Sequence, residues 1–162
     1  MRKVIVNTTP IIALADIGHL DLLQKLYTEI IIPEAVHAEI LSEPARSQVS
    51  AADWIKVQKV ANANTKSLFS ARLHAGEVEV IILAQESSAD LLIIDDNAAK
   101  KTAKYLGLTV TGTMGVILRA KREGHINAVK PLIDSLIKDG LYVSTQVQNF
   151  VLTEAGEKQY QE

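Results

Sequence analysis

Apolar residues along this chain follow two rhythms that take turns. Short, nearly continuous apolar runs occur at 3–6 (KVIV), 29–32 (EIII), 90–94 (DLLII) and 108–111 (LTVT). Between them, apolar positions recur every three or four residues. The first rhythm predicts buried strands and the second predicts helices. Pro10 suits a first helical position, with Thr9 as its N-cap, a helix over Ile11–Ile17 and Gly18 as its stop. Leu20, Leu22, Leu23 and Leu26 carry a second short helix, and Pro33 closes the EIII strand and opens a third through Ala35, Val36 and Ile40. The stretch 42–50 is polar, holds Pro44 and is predicted to be a loop. WIKVQKV at 54–60 alternates and predicts an edge strand, and ANANTKS at 61–67 predicts a second loop.

The second half continues the alternation. A helical run starts at Gly76 and reaches about Ser87, and the DLLII strand ends at Asp95 and Asp96. A helix over NAAKKTAKYLG stops at Gly107, and GTMG (112–115) leads from the LTVT strand into a helix ending near Gly124. Val129, Leu132, Ile133, Leu136 and Ile137 have amphipathic helical spacing, ended by Gly140. LYVS (141–144) is predicted as a last strand, followed by a helix from about Gln146 to Glu157. Almost wholly apolar strands alternating with helices predict an α/β fold, with a parallel sheet covered on both faces.

Composition narrows the picture. A length of 162 residues suits a single domain over 1–162, with about 125–162 as a C-terminal helical extension packed on it. A net charge of −2 argues against a protein that coats nucleic acid by bulk charge. Aromatic residues make up only 4%, which argues against a platform for stacking single-stranded bases. No apolar run approaches the length that crosses a bilayer, so no membrane partner is expected. Cysteine is absent, which removes disulfides and thiolate metal sites. Arg2 and Lys3 precede an apolar stretch broken at Asn7, unlike a cleaved leader, and the expected location is the cytoplasm.

In an open parallel sheet, ligands gather beyond the carboxyl ends of the strands. The polar residues there are Asn7, Thr8 and Thr9 after the first strand, Asp95 and Asp96 after DLLII, and Thr111, Gly112 and Thr113 after LTVT. Glu77 and Glu79 open the helix that feeds DLLII, and Glu34 and Glu39 lie on the helix behind Pro33. Each has an ordinary structural reading as a cap, a dipole partner or a solvated side chain. If the strand tips lie side by side, however, several carboxylates and hydroxyls converge, and crowded carboxylates call for a cation. Hard oxygen donors without Cys or clustered His select Mg²⁺ or Mn²⁺, which can assist hydrolysis of a phosphodiester. Lys100, Lys101 and Lys104 on one helix, and Arg119, Lys121 and Arg122 on a later one, are either solvated faces or phosphate contacts. GTMG is too short for a dinucleotide fingerprint and has no P-loop lysine.

The segments VNTTPIIALADIG, IIIPEAVHAEI, HAGEVEVIILA, LLIIDDNAAKKTA and TVTGTMGVILRAKREG, in this order, resemble the PIN-domain superfamily. The nearest likeness is to a prokaryotic branch described as predicted nucleic-acid-binding proteins. The resemblance implies a three-layer α/β/α sandwich on a parallel sheet and a Mg²⁺- or Mn²⁺-dependent ribonuclease acting on RNA. It also implies the setting of a toxin paired with a small antitoxin protein, and homodimers. Carried over by position, the first-strand acid falls on Asn7, the helix Glu on Glu39, the mid-chain acid on Glu77 or Glu79, and the strand-tip acid on Asp96 with Asp95 beside it. The final polar position falls on Thr111 or Thr113. Asp96, Glu77, Glu39, Asn7 and Thr113 are the expected catalytic set, and Asp96, Glu77, Asn7, Asp95 and Glu79 the expected metal donors. Thr9, Lys100, Lys101, Arg119 and Arg122 are the expected nucleic-acid contacts. Asn7 departs from the pattern: its carbonyl can bind a hard metal but removes one negative charge and cannot act as a base. That departure keeps open a second reading, a catalytically degenerate PIN-fold module that binds nucleic acid or protein without cleaving. A receiver-like phosphoacceptor fits less well, because the first strand has no acid pair and the last no lysine.

Overall fold

The computed structural model describes residues 2–61 and 73–159. Among them, five strands form one wholly parallel sheet: β1 (Val4–Val6), β2 (Ile30–Pro33), β3 (Ile55–Gln58), β4 (Leu91–Ile93) and β5 (Val110–Thr111). Their order is β3-β2-β1-β4-β5. The chain therefore builds outward from β1 to one side, then returns and builds to the other. β1 and β4 flank the point of reversal, paired in register as Val4 with Leu91, Ile5 with Leu92 and Val6 with Ile93. In sheets of this kind the crevice at the reversal is where ligands sit.

The helices are α1 (Thr8–Asp16), α2 (Asp21–Tyr27), α3 (Glu34–Glu39), α4 (Ala45–Ala51), α5 (Ala75–Glu86), α6 (Asn97–Tyr105), α7 (Thr113–Arg122), α8 (Lys130–Lys138) and α9 (Thr145–Glu154). They cover both faces of the sheet and make the chain a three-layer α/β/α sandwich. α1, α2 and α7 pack together, whereas α5 contacts β1, β2, β4 and α3. α8 leans on α1, and α9 on α7. α5 is apolar all round rather than along one stripe, as a helix enclosed in a core must be. Its residues from Gly76 to Ala84 are all buried.

Three local expectations are corrected. The N-cap of the first helix is Asn7, not Thr9, and Thr8 and Thr9 are already helical. The extended backbone of Asn7 is what a cap requires, but its side chain makes no capping bond. The stretch 42–50 is not a loop: α4 forms there after Glu43, whose carboxylate accepts from the Ser47 N–H (3.2 Å) and hydroxyl (2.8 Å). Pro44 precedes the first turn of α4, where the ring costs no hydrogen bond. LYVS forms no strand; Ser144 instead caps α9, accepting from the Val147 N–H at 3.2 Å. The loop expected at 61–67 lies, apart from Ala61, outside the described residues.

Candidate metal centre and nucleic-acid cleft

The first wall of the cleft is the tip of β1. The Asn7 N–H donates to the Ile93 carbonyl at 2.9 Å, which fixes it against β4. Its side chain is 4% exposed, and its Oδ1 is a buried polar side-chain atom with no hydrogen-bond partner among the described residues. An acceptor left unsatisfied in a buried position costs about 1–3 kcal/mol and calls for an explanation. Next along the chain, the Thr8 hydroxyl donates to Glu39 Oε2 at 2.7 Å.

Glu39, the last residue of α3, bridges two elements. Its other oxygen, Oε1, accepts from the Gly76 N–H at 2.9 Å, at the start of α5. Glycine leaves room for this contact: a Cβ on Gly76 would stand 2.6 Å from the Glu39 carboxylate and displace it. Both Glu39 oxygens are therefore committed to holding α1, α3 and α5 together at the mouth of the cleft.

α5 brings two acids into the interior, each 7% exposed, and they part ways. Two residues apart on a helix, they point to different sides. Glu77 folds back so that Oε1 accepts from the His74 N–H at 2.9 Å. Burial pushes the Glu77 pKa up, and the negative charges of Asp96 and Glu39 push it further, against the lowering effect of the His74 N–H. Those influences place Glu77, Asp96 and Glu39 in one electrostatic neighbourhood. Glu79 turns instead to α3, where its Oε1 accepts from the Ala35 N–H at 3.0 Å. It satisfies one of the free donors at the start of that helix.

The adjacent acids after β4 also divide. Asp96 is the N-cap of α6, and its Oδ2 accepts from the Ala99 N–H at 2.8 Å. Asp95 reaches across to the tip of β5. Its Oδ1 accepts from the Thr113 N–H at 2.8 Å and its Oδ2 from the Thr113 hydroxyl at 2.6 Å. Thr113 is fully buried, so its hydroxyl orients Asp95 rather than meeting a ligand. Gly112 allows this contact, since a Cβ there would stand 2.6 Å from Asp95 Oδ1. The first glycine of GTMG thus serves an acid–backbone contact.

Asn7, Glu39, Glu77 and Asp96 are brought toward one region, and Asp95 and Thr113 lock its far wall. Among the described residues, no three His, Cys, Asp or Glu side chains close into a ready metal cage. The basic residues separate too. Arg119 pairs with Glu123 at 2.5 Å and lies over the Tyr27 ring, 5.1 Å from its centroid. Arg122 pairs with Glu154 at 2.9 Å. Lys100 and Lys104, by contrast, line a groove that begins at Asp95 and Asp96, while Lys101 is exposed on α6. Thr9 lines a small cavity of about 190 Å³ between α1 and the end of α8. Sequence reasoning missed Thr8 as the partner of Glu39, and Gly76 and Gly112 as close-approach positions. The only available signal was a glycine immediately before each candidate acid or threonine.

No helix among the described residues is long and apolar enough to cross a membrane. No curated protein matches the chain. The family model for the PIN domain matches residues 3–157, which takes in every strand and every residue of the cleft. With the acids of β4 and α5 gathered at the reversal point of a parallel sheet, and that match over nearly the whole length, the chain belongs to the PIN-domain family.

Proposed function

We propose that this protein is a Mg²⁺- or Mn²⁺-dependent ribonuclease whose ion is held by Asp96, Glu77 and Asn7. Family membership points to nuclease-type chemistry on nucleic acid in general. The observation that carries the finer reading is the orphaned, buried Asn7 Oδ1 beside a group of mutually repelling carboxylates. A cation would satisfy the one and relieve the other. The donors are hard oxygens, and Mg²⁺ typically uses one or two carboxylates and keeps several waters, so a closed protein cage is not required.

The roles follow from the hydrogen bonds. Asp96 and Glu77 each commit one oxygen to a backbone N–H and leave the other without a hydrogen bond among the described residues. Each carboxylate is thereby aimed as well as charged. Asn7 adds a neutral carbonyl. Glu39 and Thr113 are positioning residues, acting through Thr8 and Gly76 and through Asp95. When bound, the ion supplies charge stabilisation at the phosphate and a more acidic water. Hydrolysis adds water across a P–O bond: the water oxygen bonds to phosphorus, and the leaving ribose oxygen takes a proton. Ion binding requires Glu77 to be ionised, so affinity rises with pH as that carboxyl loses its proton. On this reading the protein fits the toxin half of a toxin–antitoxin pair, the setting the resemblance implies.

The test is cleavage of single-stranded RNA in Mn²⁺ and in EDTA. Asp96→Asn is the informative variant, because Asn caps a helix as well as Asp does and removes only the charge. Cleavage in Mn²⁺ should fall by about 100-fold or more in that variant. An unchanged rate would end the assignment. The neutral side chain at position 7 favours one second reading, a PIN-fold module that binds without cleaving. Activity that emerges only in Asn7→Asp would establish that alternative.

A further inference from the structure

Beside the acid cleft runs an open groove of about 720 Å³, between α6, the β5 edge and the segment leading into α9. It starts at Asp95 and Asp96 and continues past Lys100 and Lys104 to Tyr142 and Phe150. Neither lysine has an ion-pair partner among the described residues, whereas Arg119, Lys121 and Arg122 are all paired. Asp96, Lys100 and Lys104 are four residues apart in turn. They form one row on α6 with steps of about 6 Å along the helix axis. The same groove is lined by two exposed aromatic side chains, Tyr142 at 88% exposure and Phe150 at 62%. With Val147 they group exposed apolar surface along one groove, and grouped apolar surface marks an interaction site.

We infer that this groove carries a single strand of nucleic acid away from the acid cleft, with successive phosphates on Lys100 and Lys104 and an unstacked base on Tyr142. Two lysines without an ion pair among the described residues and two exposed aromatic rings in one groove are the pairing that single strands demand, backbone neutralisation together with stacking faces. The row begins at the residue that would hold the ion, so the bound strand leads directly to the proposed point of cleavage. The inference rests on the ribonuclease reading for the direction of the strand, but its test is independent of cleavage.

The experiment is fluorescence anisotropy of labelled single-stranded RNA and DNA oligonucleotides in EDTA, where no metal-dependent cutting occurs. The wild type is compared with Lys100→Ala/Lys104→Ala and with Tyr142→Ala, and circular dichroism checks that each variant is folded. The lysine pair should lower the salt slope of binding by about 1.4, at about 0.7 per phosphate contact on a single strand. Tyr142→Ala should weaken binding by about fivefold or more. Tighter binding of RNA than of DNA would identify contacts to the ribose hydroxyl. Wild-type affinity and slope in both variants, or no binding by the wild type, would overturn the inference. So would a change in oligomeric state on Tyr142→Ala with unchanged RNA affinity, because the groove would then be a contact between two copies of the chain. Groove-dependent binding without Mn²⁺-dependent cleavage would instead retain the groove and reject the ribonuclease.

Discussion

Replacing Asn7 by Asp changes one atom's identity and one unit of charge, and the structure sets the size of the consequence. The side chain is 4% exposed and its Oδ1 has no hydrogen-bond partner among the described residues. A carboxylate there would be buried, unpaired and close to the charges that already raise the Glu77 pKa. An uncompensated buried charge costs about 3 kcal/mol or more. For a chain of this length each kcal/mol is worth about 2–4 °C, so in EDTA the Tm of Asn7→Asp should fall by about 6–12 °C. A bound dication reverses the sign. At a Mn²⁺ concentration 100 times the Kd, binding to the folded state adds about 2.7 kcal/mol, which returns about 5–11 °C. The natural chain should gain less at the same Mn²⁺ concentration, having one charge fewer. Thermal unfolding followed by circular dichroism, in EDTA and across a Mn²⁺ series, measures both quantities. Lowering the pH should shrink the penalty as the new carboxyl takes a proton. A variant that melts with the wild type in EDTA would show that position 7 is not a desolvated site among acids. A variant that melts early but recovers nothing in Mn²⁺ would show that no cation site faces it.

Two more changes test the electrostatics of the fold. Glu77 has a raised pKa, so the folded state holds that proton more tightly than the unfolded chain does. Its ionisation lowers stability as pH climbs above the ordinary 4.5 and through the raised value. Glu77→Gln should therefore raise the Tm at neutral pH in EDTA, make no difference in acid and lose the stabilisation by Mn²⁺; a neutral-pH Tm below that of the wild type would contradict this. Glu157 is the opposite case. Burial pushes its pKa up, but the Lys121 ammonium at 2.7 Å and the Val129 and Lys130 N–H groups outweigh that and hold it low. Its contribution is full above the ordinary 4.5 and is lost as pH falls through the lowered value. Glu157→Gln should cost about 2 kcal/mol at neutral pH and little in acid, measured by urea unfolding. An equal cost at both pH values would assign the effect to packing.

The sequence alone determined the kind of fold and the strand tips at which a site could be sought. Almost wholly apolar strands alternating with helices require a parallel sheet with two covered faces, because such strands have no polar face to give to water. Strand tips follow from that periodicity, so Asn7, Asp95, Asp96, Thr111 and Thr113 could be named as cleft candidates from local pattern. Pairs of neighbouring candidates could not be separated, because their difference lies in bonds that span the chain. Glu79 reaches Ala35, 44 positions away, and Asp95 reaches Thr113. Only the packing of α5 between sheet and α3 leaves Glu77 to the cleft. The same holds for Arg119, Lys121 and Arg122, which read as free charge until their partners come together. Composition suggested too few aromatics for a stacking surface. A count says nothing of placement, however, and tertiary structure sets Tyr142 and Phe150 along one groove with two lysines that have no ion pair among the described residues. What periodicity encodes is which side of an element is buried. Which partner waits there is decided only when distant segments meet, and Asn7 shows this most clearly. Its position at the end of the first strand was legible from the chain, but its unsatisfied carbonyl exists only in the assembled fold.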